Sequence, residues 1–262
     1  MTYETITLET DTRGIATLTL NRPDKHNALS SRMIHELTDA AARLAQDDSR
    51  VVILTGAGES FCAGGDLGWM REQFAADRAT RMAEARTLAG MLGALNTLPK
   101  PLIGRVQGQA FGGGIGMMSV CDVCIIADHP RFGLTETRLG LIPATISPYV
   151  IARMGEGRAR QVFMSARLFS AEEAVRLGLA ARAVPVTELD EAIAREVKPY
   201  LSAAPGAVAR SKALARALGP RIDDAVIEDT VARLADAWDS PEAQEGIAAF
   251  FDKRKPSWVS SG

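Results

Sequence analysis

Cysteine and histidine are scarce in this chain of 262 residues, with three of each. So few thiols exclude a disulfide-stapled scaffold and suit a reducing compartment. The histidines are His26, His35 and His129, and the stretch from His35 has no second histidine four residues on, so the helical zinc motif is absent. A lone C-x-x-C at Cys121–Cys124 lacks the second pair that a zinc site requires. No Gly-Lys-Ser/Thr tripeptide occurs, which excludes a P-loop. Basic residues are not in surplus (30 Lys and Arg against 32 Asp and Glu, net charge −2), so nothing favours nucleic acid or an anionic membrane. No apolar run approaches the ~20 residues that span a bilayer. The opening "MTYETITLETD" is acidic and alternating, unlike a targeting segment. These absences lead to the expectation of a cytoplasmic, soluble protein without nucleic-acid or membrane partners.

What is present is an ordinary globular balance, 47% apolar and 24% charged. Up to about Pro185, short β-branched runs alternate with helical patterns. "TITLET" and "GIATLTL" flank Thr12, Arg13 and Gly14 as a hairpin. Met33, Leu37, Ala41 and Leu44 recur at helical spacing, and "VVILTGAG" is a strand covered on both faces. A long helix runs through "TRMAEARTLAGMLGALNTL" to just before Pro99, and "PLIGRVQG" and "VCIIAD" are further strands. Strand–turn–helix units in series predict an α/β fold. Ser170, three residues before Glu173, opens a helix as a capping box. Beyond Pro185 only helices are expected, from Thr187, Pro205, Ile222 and Pro241, with Ile227, Val231, Leu234 and Trp238 as one apolar stripe. Such a tail folds back on the main domain or docks onto another subunit.

Two glycine turns stand out. "QGQAFGGGIGMMSVCD" places three glycines ahead of an apolar helix, where free backbone N–H groups can meet negative charge. It is no dinucleotide fingerprint, because counting from Gly112 the sixth position is Met117. "ESFCAGGDLGWM" is a second turn between strand and helix; Cys62 there fits a small buried residue better than a nucleophile, and Asp66 braces or caps the turn. One N–H from each turn could converge on one oxygen, as acyl chemistry through an enolate requires; close helix–strand packing is the other reading. Glu136, in the apolar "RFGLTETRLGLIPATISPY", is open to capping, to pairing with Arg138, to solvation, or to service as a partly buried acid of raised pKa. The C-x-x-C straddles a helix end and a strand start, so its thiols need not face each other and core packing is favoured.

Five segments together, "LNRPDKHNAL", "FCAGGDL", "QGQAFGGGIGMMSVCD", "FGLTETRLGLIP" and "EGIAAFFDKRKPSW", resemble the enoyl-CoA hydratase/isomerase (crotonase) family in order and spacing across nearly the whole chain. The resemblance implies a crotonase-like spiral of ββα units over residues 1–198 and a C-terminal helical oligomerisation region over 199–262. It implies a homotrimer or dimer of trimers acting on an acyl-CoA thioester, with no metal and no cofactor beyond the coenzyme A of the substrate. The oxyanion-stabilising N–H groups fall on Gly65 and Gly113. Lys25, His26 and Ala28 would flank the coenzyme, Ala63, Gly65 and Leu67 would line its arm and adenine, and Asp66 matches the turn aspartate. Lys253 or Lys255 would reach a neighbour's coenzyme phosphates or belong to a solvated charge run. Of the two glutamates that hydratases of the family commonly use, the second matches Glu136, whereas Gly116 stands at the position of the first. "PATISPY" also departs from the family's glycine-rich stretch, reshaping the acyl pocket around Thr145, Ile146 and Ser147. "FCAGGDLGWM", "AFGGGIGMMSVCD" and "TETRLGLIPATISPYV" are similar to bacterial methylglutaconyl-CoA hydratases of leucine degradation, where Arg138 would meet a distal carboxylate. Hydration of a short or branched 2-enoyl-CoA is therefore expected. A double-bond isomerase using Glu136 alone, and a non-catalytic acyl-CoA-binding paralogue, are the alternatives.

Overall fold

The strands β1 (Ile6–Thr10) and β2 (Ile15–Leu20) pair antiparallel as the expected hairpin, closed by the Gly14 N–H donating to the Asp11 carbonyl at 3.0 Å. The computed structural model describes residues 2–259. Helix α1 (Ser31–Leu44) follows, with the Ser30 hydroxyl accepting the Met33 N–H and Met33, Leu37, Ala41 and Leu44 buried in one stripe. Then come β3 (Val51–Gly56), β4 (Ser60–Cys62), α2 (Leu67–Ala75), α3 (Arg78–Asn96), β5 (Leu102–Val106), β6 (Gln109–Phe111) and α4 (Gly113–Val120). After β7 (Val123–Ala127) and β8 (Arg131–Gly133) a tight 3-10 turn covers Glu136–Leu139. The chain continues through α5 (Ser147–Met154), α6 (Glu156–Phe163), β9 (Phe169–Ser170), α7 (Ala171–Arg176) and β10 (Arg182–Val184). Four helices close the described chain: α8 (Leu189–Ser202), α9 (Pro205–Leu218), α10 (Asp224–Trp238) and α11 (Pro241–Phe251).

Two sheets organise these elements. The larger runs β1-β2-β3-β5-β7-β10, parallel from β2 onward; the smaller runs β4-β6-β8-β9. Each repeat therefore sends one strand through the large sheet and a short one through the small sheet before turning. β3–β4–α2 and β5–β6–α4 are ββα units, and β7–β8 leads instead into the turn at Glu136. The large strands read as continuous apolar runs because both faces are covered. Leu18, Val52, Leu54 and Ile126 join the main core, whereas Ile15, Val51, Ile103 and Ile125 pack against Leu189, Ala192, Ile193 and Val197 of α8. α8 continues through residues 198–199, on both sides of the division expected from the sequence.

The helical tail folds back. α10 lies along α3, where Arg78 reaches Asp236 and Asp239 and Arg86 reaches Glu228. Its stripe is graded: Val231 and Trp238 are buried, and Ile227 and Leu234 are half-buried against the core. α10 begins two residues later than Ile222, at the residue after the capping Asp223. Only half of the capping box at α7 forms. Ser170 Oγ accepts the Glu173 N–H at 3.2 Å, but the Glu173 carboxylate turns away to Arg167 (2.8 Å to each Nη) and Arg176 (2.7 Å).

The C-x-x-C motif packs in the core, as favoured from the sequence. Helix end and strand start bring the two thiols together over Gly104, whose missing side chain makes room for them. A Cβ there would lie 2.6 Å from Cys124 Sγ and 3.1 Å from Cys121 Sγ. The two thiols donate to the Met117 and Met118 carbonyls at 3.3 and 3.2 Å. They are buried, free cysteines filling the core. Gly104→Ala should overpack this site and destabilise the fold by about 1–3 kcal/mol. Adding Cys124→Ala should return most of that loss in urea denaturation, whereas additive losses would refute steric coupling.

Candidate active site

β4, β6 and β8 are neighbours running parallel in the small sheet, so the residues beyond their ends must meet. Those residues are Gly64–Gly65, Gly112–Gly113 and Thr135–Glu136. The two glycine turns touch backbone to backbone. A Cβ on Gly114 would lie 2.3 Å from the Cys62 carbonyl oxygen, and one on Gly64 would lie 3.0 Å from that of Phe111. Leu29 ties the first turn from outside, donating its N–H to Gly64 O (2.7 Å) and accepting the Asp66 N–H (3.0 Å). Its Cδ1 comes within 2.8 Å of where a Gly113 side chain would begin. Among the described residues, the N–H groups of Gly65 and Gly113 are not taken by backbone acceptors in these turns. Gly113 is also the first residue of α4, where helical N–H groups are unpaired and the dipole is positive.

Glu136 enters from the third strand end. Its Oε1 lies 3.0 Å from the Cβ position of Gly112, whose φ of +46° favours glycine as well. Although the residue is part-exposed as a whole, its Oε2 is buried and has no hydrogen-bond partner. Burial pushes this carboxyl up to about 7, its own backbone N–H opposing only partly. α11 presses the turn from behind. A Cβ on Gly246 would stand 2.6 Å from the Leu139 backbone, and one on Gly140 would stand 2.4 Å from that of Glu242. Leu141, Trp238, Ala243 and Ile247 bury themselves around this contact.

The space beside Gly116 is filled. A Cβ there would meet Ile146 Cγ2 at 2.6 Å and Ile146 Cβ at 3.0 Å, and Ile146 is itself buried. Where the family pattern sets its first glutamate, this chain packs a branched hydrocarbon. Next to it, Thr145 Oγ1 is buried without a partner, while Ser147 Oγ donates to the Ala144 carbonyl at 2.7 Å. Arg138 is exposed, and it makes no salt bridge to Glu136 among the described residues.

The loop over residues 22–29 is stitched to the first glycine turn. Asn27 is fully buried with φ +53°, and its amide donates to the Ala57 and Ser60 carbonyls, both at 2.8 Å. Arg22 donates to the Ala28 carbonyl (2.9 Å) and to Asp66 Oδ2 (2.8 Å). Asp66 uses its other oxygen to cap α2, accepting the Gly68 N–H at 2.8 Å. Burial pushes this carboxyl up, but the bonds from Arg22, Trp69 and Gly68 outweigh it and hold it below the usual range. Bracing and capping are thus the structural work of Asp66. Lys25 and His26 are exposed, His26 Nδ1 lying 3.0 Å from Ser60 Oγ, while Ala28 is buried. Ala63 is half-buried, its N–H donating to the His26 carbonyl, and Leu67 is exposed at the start of α2. Lys253 and Lys255 are exposed after α11, away from these strand ends in sequence. Cys62 is buried with its thiol pushed up to about 12 by burial, which disqualifies it as a nucleophile. Arg22, Asn27 and the filling role of Ile146 had no signal in spacing alone, though the first two lie within "LNRPDKHNAL".

A family model described as enoyl-CoA hydratase/isomerase matches residues 10–261. The chain is 36% identical over 263 residues to a probable enoyl-CoA hydratase of Mycobacterium tuberculosis, covering 99% of each chain. It is 35% identical over 251 residues to a short-chain-enoyl-CoA hydratase of Clostridium acetobutylicum, covering 92% of each. Among solved structures, an enoyl-CoA hydratase from Shewanella pealeana superposes with a TM-score of 0.80 at 36% identity, covering 98% of this chain and 96% of that one.

The raised Glu136 carboxyl has a thermodynamic consequence. Its folded pKa lies above the unfolded value of 4.5, so the stability it allows is complete below pH 4.5 and is lost as pH rises through about 7. Glu136→Gln removes that loss. The variant should gain on the parent between pH 5 and 8, by up to about 3 kcal/mol. Urea denaturation at fixed protein concentration reads this directly, and a pH-independent difference would refute a buried, titrating carboxyl.

Proposed function

The chain belongs to the enoyl-CoA hydratase/isomerase family, and within it we propose that it hydrates a short or branched 2-enoyl-CoA with Glu136 as the only proton carrier. The observation that carries this reading is the unpartnered, desolvated Oε2 of Glu136 beside the Gly112 turn. A carboxyl with a pKa near 7 exchanges protons in both directions at neutral pH. In the addition step, Glu136 takes a proton from water as the water oxygen bonds to the β-carbon. The electron pair of the double bond moves onto the thioester oxygen as an enolate, held by the N–H groups of Gly65 and Gly113. The enolate then collapses, the α-carbon takes the same proton from Glu136, and the carboxylate is restored. One carboxylate suffices if both new bonds form on one face.

Ile146 favours a second reading. With its side chain against Gly116, no second carboxylate can stand there, and moving a double bond needs only one base. An isomerase would use Glu136 to take a proton from one carbon and return it two carbons away. The names of the relatives support hydration. The branched, methylglutaconyl-like acyl group rests on the three segments quoted above and on the altered "PATISPY" stretch; leucine degradation would follow from it. Lys25, His26, Ala28, Ala63 and Leu67 would receive the coenzyme. Residues 199–262 would serve assembly into a trimer or a dimer of trimers, a role supported by the exposed Leu214 and Leu218 of α9. No described helix is long and apolar enough to cross a membrane; a cytoplasmic setting is part of the same proposal.

Incubation of the protein with 2-enoyl-CoA in heavy-oxygen water should yield a 3-hydroxyacyl product carrying solvent oxygen. A moved double bond without oxygen uptake would establish the isomerase instead. Glu136→Gln should cut turnover by about 10²–10⁴-fold while acyl-CoA still binds. Gly116→Glu alone should destabilise by about 1–3 kcal/mol through overpacking. Combined with Ile146→Ala it should recover stability and raise hydration above that of Gly116→Glu; unchanged turnover in the recovered double variant would show that a second acid does not assist.

A further inference from the structure

Helix α2 starts directly after Asp66 and carries an indole back over the first glycine turn. A Cβ on Gly65 would lie 3.5 Å from Trp69 Cζ3, 3.6 Å from Trp69 Cε3 and 3.7 Å from Met70 Cγ. These are ordinary contact distances, so ring and thioether stand over the Gly65 backbone without crowding it. α2 is not seated by a buried apolar stripe. Among Leu67–Ala75 only Gln73 is buried, and Trp69 and Met70 are half-buried with surface left free.

This tryptophan is held at both ends. Its backbone N–H donates to Asp66 Oδ1 at 3.3 Å, and its Nε1 donates to Glu84 Oε2 on α3 at 3.0 Å. The basic residues near Glu84 are engaged elsewhere, Arg78 and Arg81 with Asp239 and Arg86 with Glu228. Glu84 makes no salt bridge among the described residues, and the indole is the group its carboxylate holds. Further along α3, Leu92 Cδ1 lies 3.7 Å from the Cβ position of Gly116, which Ile146 covers. Glu84, Leu88 and Leu92 follow one another at i, i+4 and i+8. One side of α3 therefore runs about 12 Å from the tethered indole to the level of Ile146. Along it Leu88 is half-buried against the core and Leu92 is buried.

We propose that Trp69 determines how long an acyl chain the site accepts, and that Glu84 is the positioning residue that fixes its ring. This rests on the reading that the Gly65 N–H holds a thioester oxygen, because the acyl carbons next to that oxygen then lie beside whatever covers Gly65. Trp69 and Met70 stand at one end of this side of α3 and Ile146 at the other, so hydrocarbon closes the acyl space at both ends. A ring held by a hydrogen bond gives that bond up if it swings aside for a longer chain. The half-buried Glu84 carboxylate is then left without its donor, which carries a cost. An untethered ring would need only a change of rotamer.

Butyryl-CoA and decanoyl-CoA are the probes, titrated calorimetrically into the full chain. Both are saturated and undergo no hydration, so binding is read apart from turnover. The parent should bind butyryl-CoA at least as tightly as decanoyl-CoA, although buried methylenes favour the longer chain wherever it fits. Trp69→Ala should shift the ratio of the two dissociation constants by about tenfold or more toward decanoyl-CoA. Trp69→Phe keeps a ring but has no N–H. It and Glu84→Ala should each shift the ratio about threefold, and the two combined no further than either alone. Glu84→Gln keeps an acceptor oxygen for the indole and should retain the parent ratio, which a merely charged or proton-carrying Glu84 would not. Should Trp69→Ala fold poorly, Trp69→Phe and the two Glu84 variants still decide. An unshifted ratio in these variants overturns the inference while leaving hydration by Glu136 intact. So does tenfold tighter binding of decanoyl-CoA by the parent, or a Glu84→Gln shift as large as that of Glu84→Ala. Failure of the parent to bind either thioester overturns both readings.

Discussion

The backbone contact between the turns after β4 and β6 is the constraint on which the rest depends. With only 2.3 Å between the Cys62 carbonyl oxygen and the Cβ position of Gly114, α4 can lie against β4 only because that side chain is missing. This approach sets the N-terminus of α4 beside the first turn and orients two unclaimed N–H groups at neighbouring strand ends. The order β4-β6-β8 then delivers a carboxylate at the third end. Three short strands thus perform the assembly, and the large sheet behind them supplies rigidity through a core closed on both faces.

The carboxylate shows how burial is used. Asp66 and Glu136 both follow a small-sheet strand, and burial pushes both upward. Asp66 is answered by Arg22 and two backbone N–H groups and falls below the usual range, whereas Glu136 has no such partners and rises to about 7. The first is thereby fixed as a structural brace, and the second is left able to exchange a proton. Holding an unsatisfied carboxyl in place requires support from elsewhere. α11 provides it, pressing Gly246 onto Leu139 and closing a small apolar cluster behind the turn. The helical tail is therefore part of what positions Glu136, whatever it also does between subunits.

Much of this was legible in the chain. The hairpin, the helix carrying Met33, Leu37, Ala41 and Leu44, the continuous strand at Val51–Gly56 and the all-helical tail follow from period and punctuation, since local sterics and burial periodicity leave one-dimensional traces. The two glycine turns and Glu136 were also singled out by residue type. Arg22 and Asn27 were not, because a loop that bonds across more than thirty residues leaves no periodic signal. Neither was the meeting of Cys121 with Cys124, which depends on Gly104 from another strand.

The sequence by itself determined the α/β class, the order of elements and the residue types available at each turn, because these rest on contacts within a few residues along the chain. Tertiary structure alone decided which turns converge, that Oε2 of Glu136 lacks a partner, and that Ile146 occupies the space beside Gly116. Each of those is a matter of packing between segments far apart in the chain. A glycine in a string of letters reads as room, and only the neighbours brought by folding say whether that room is already filled.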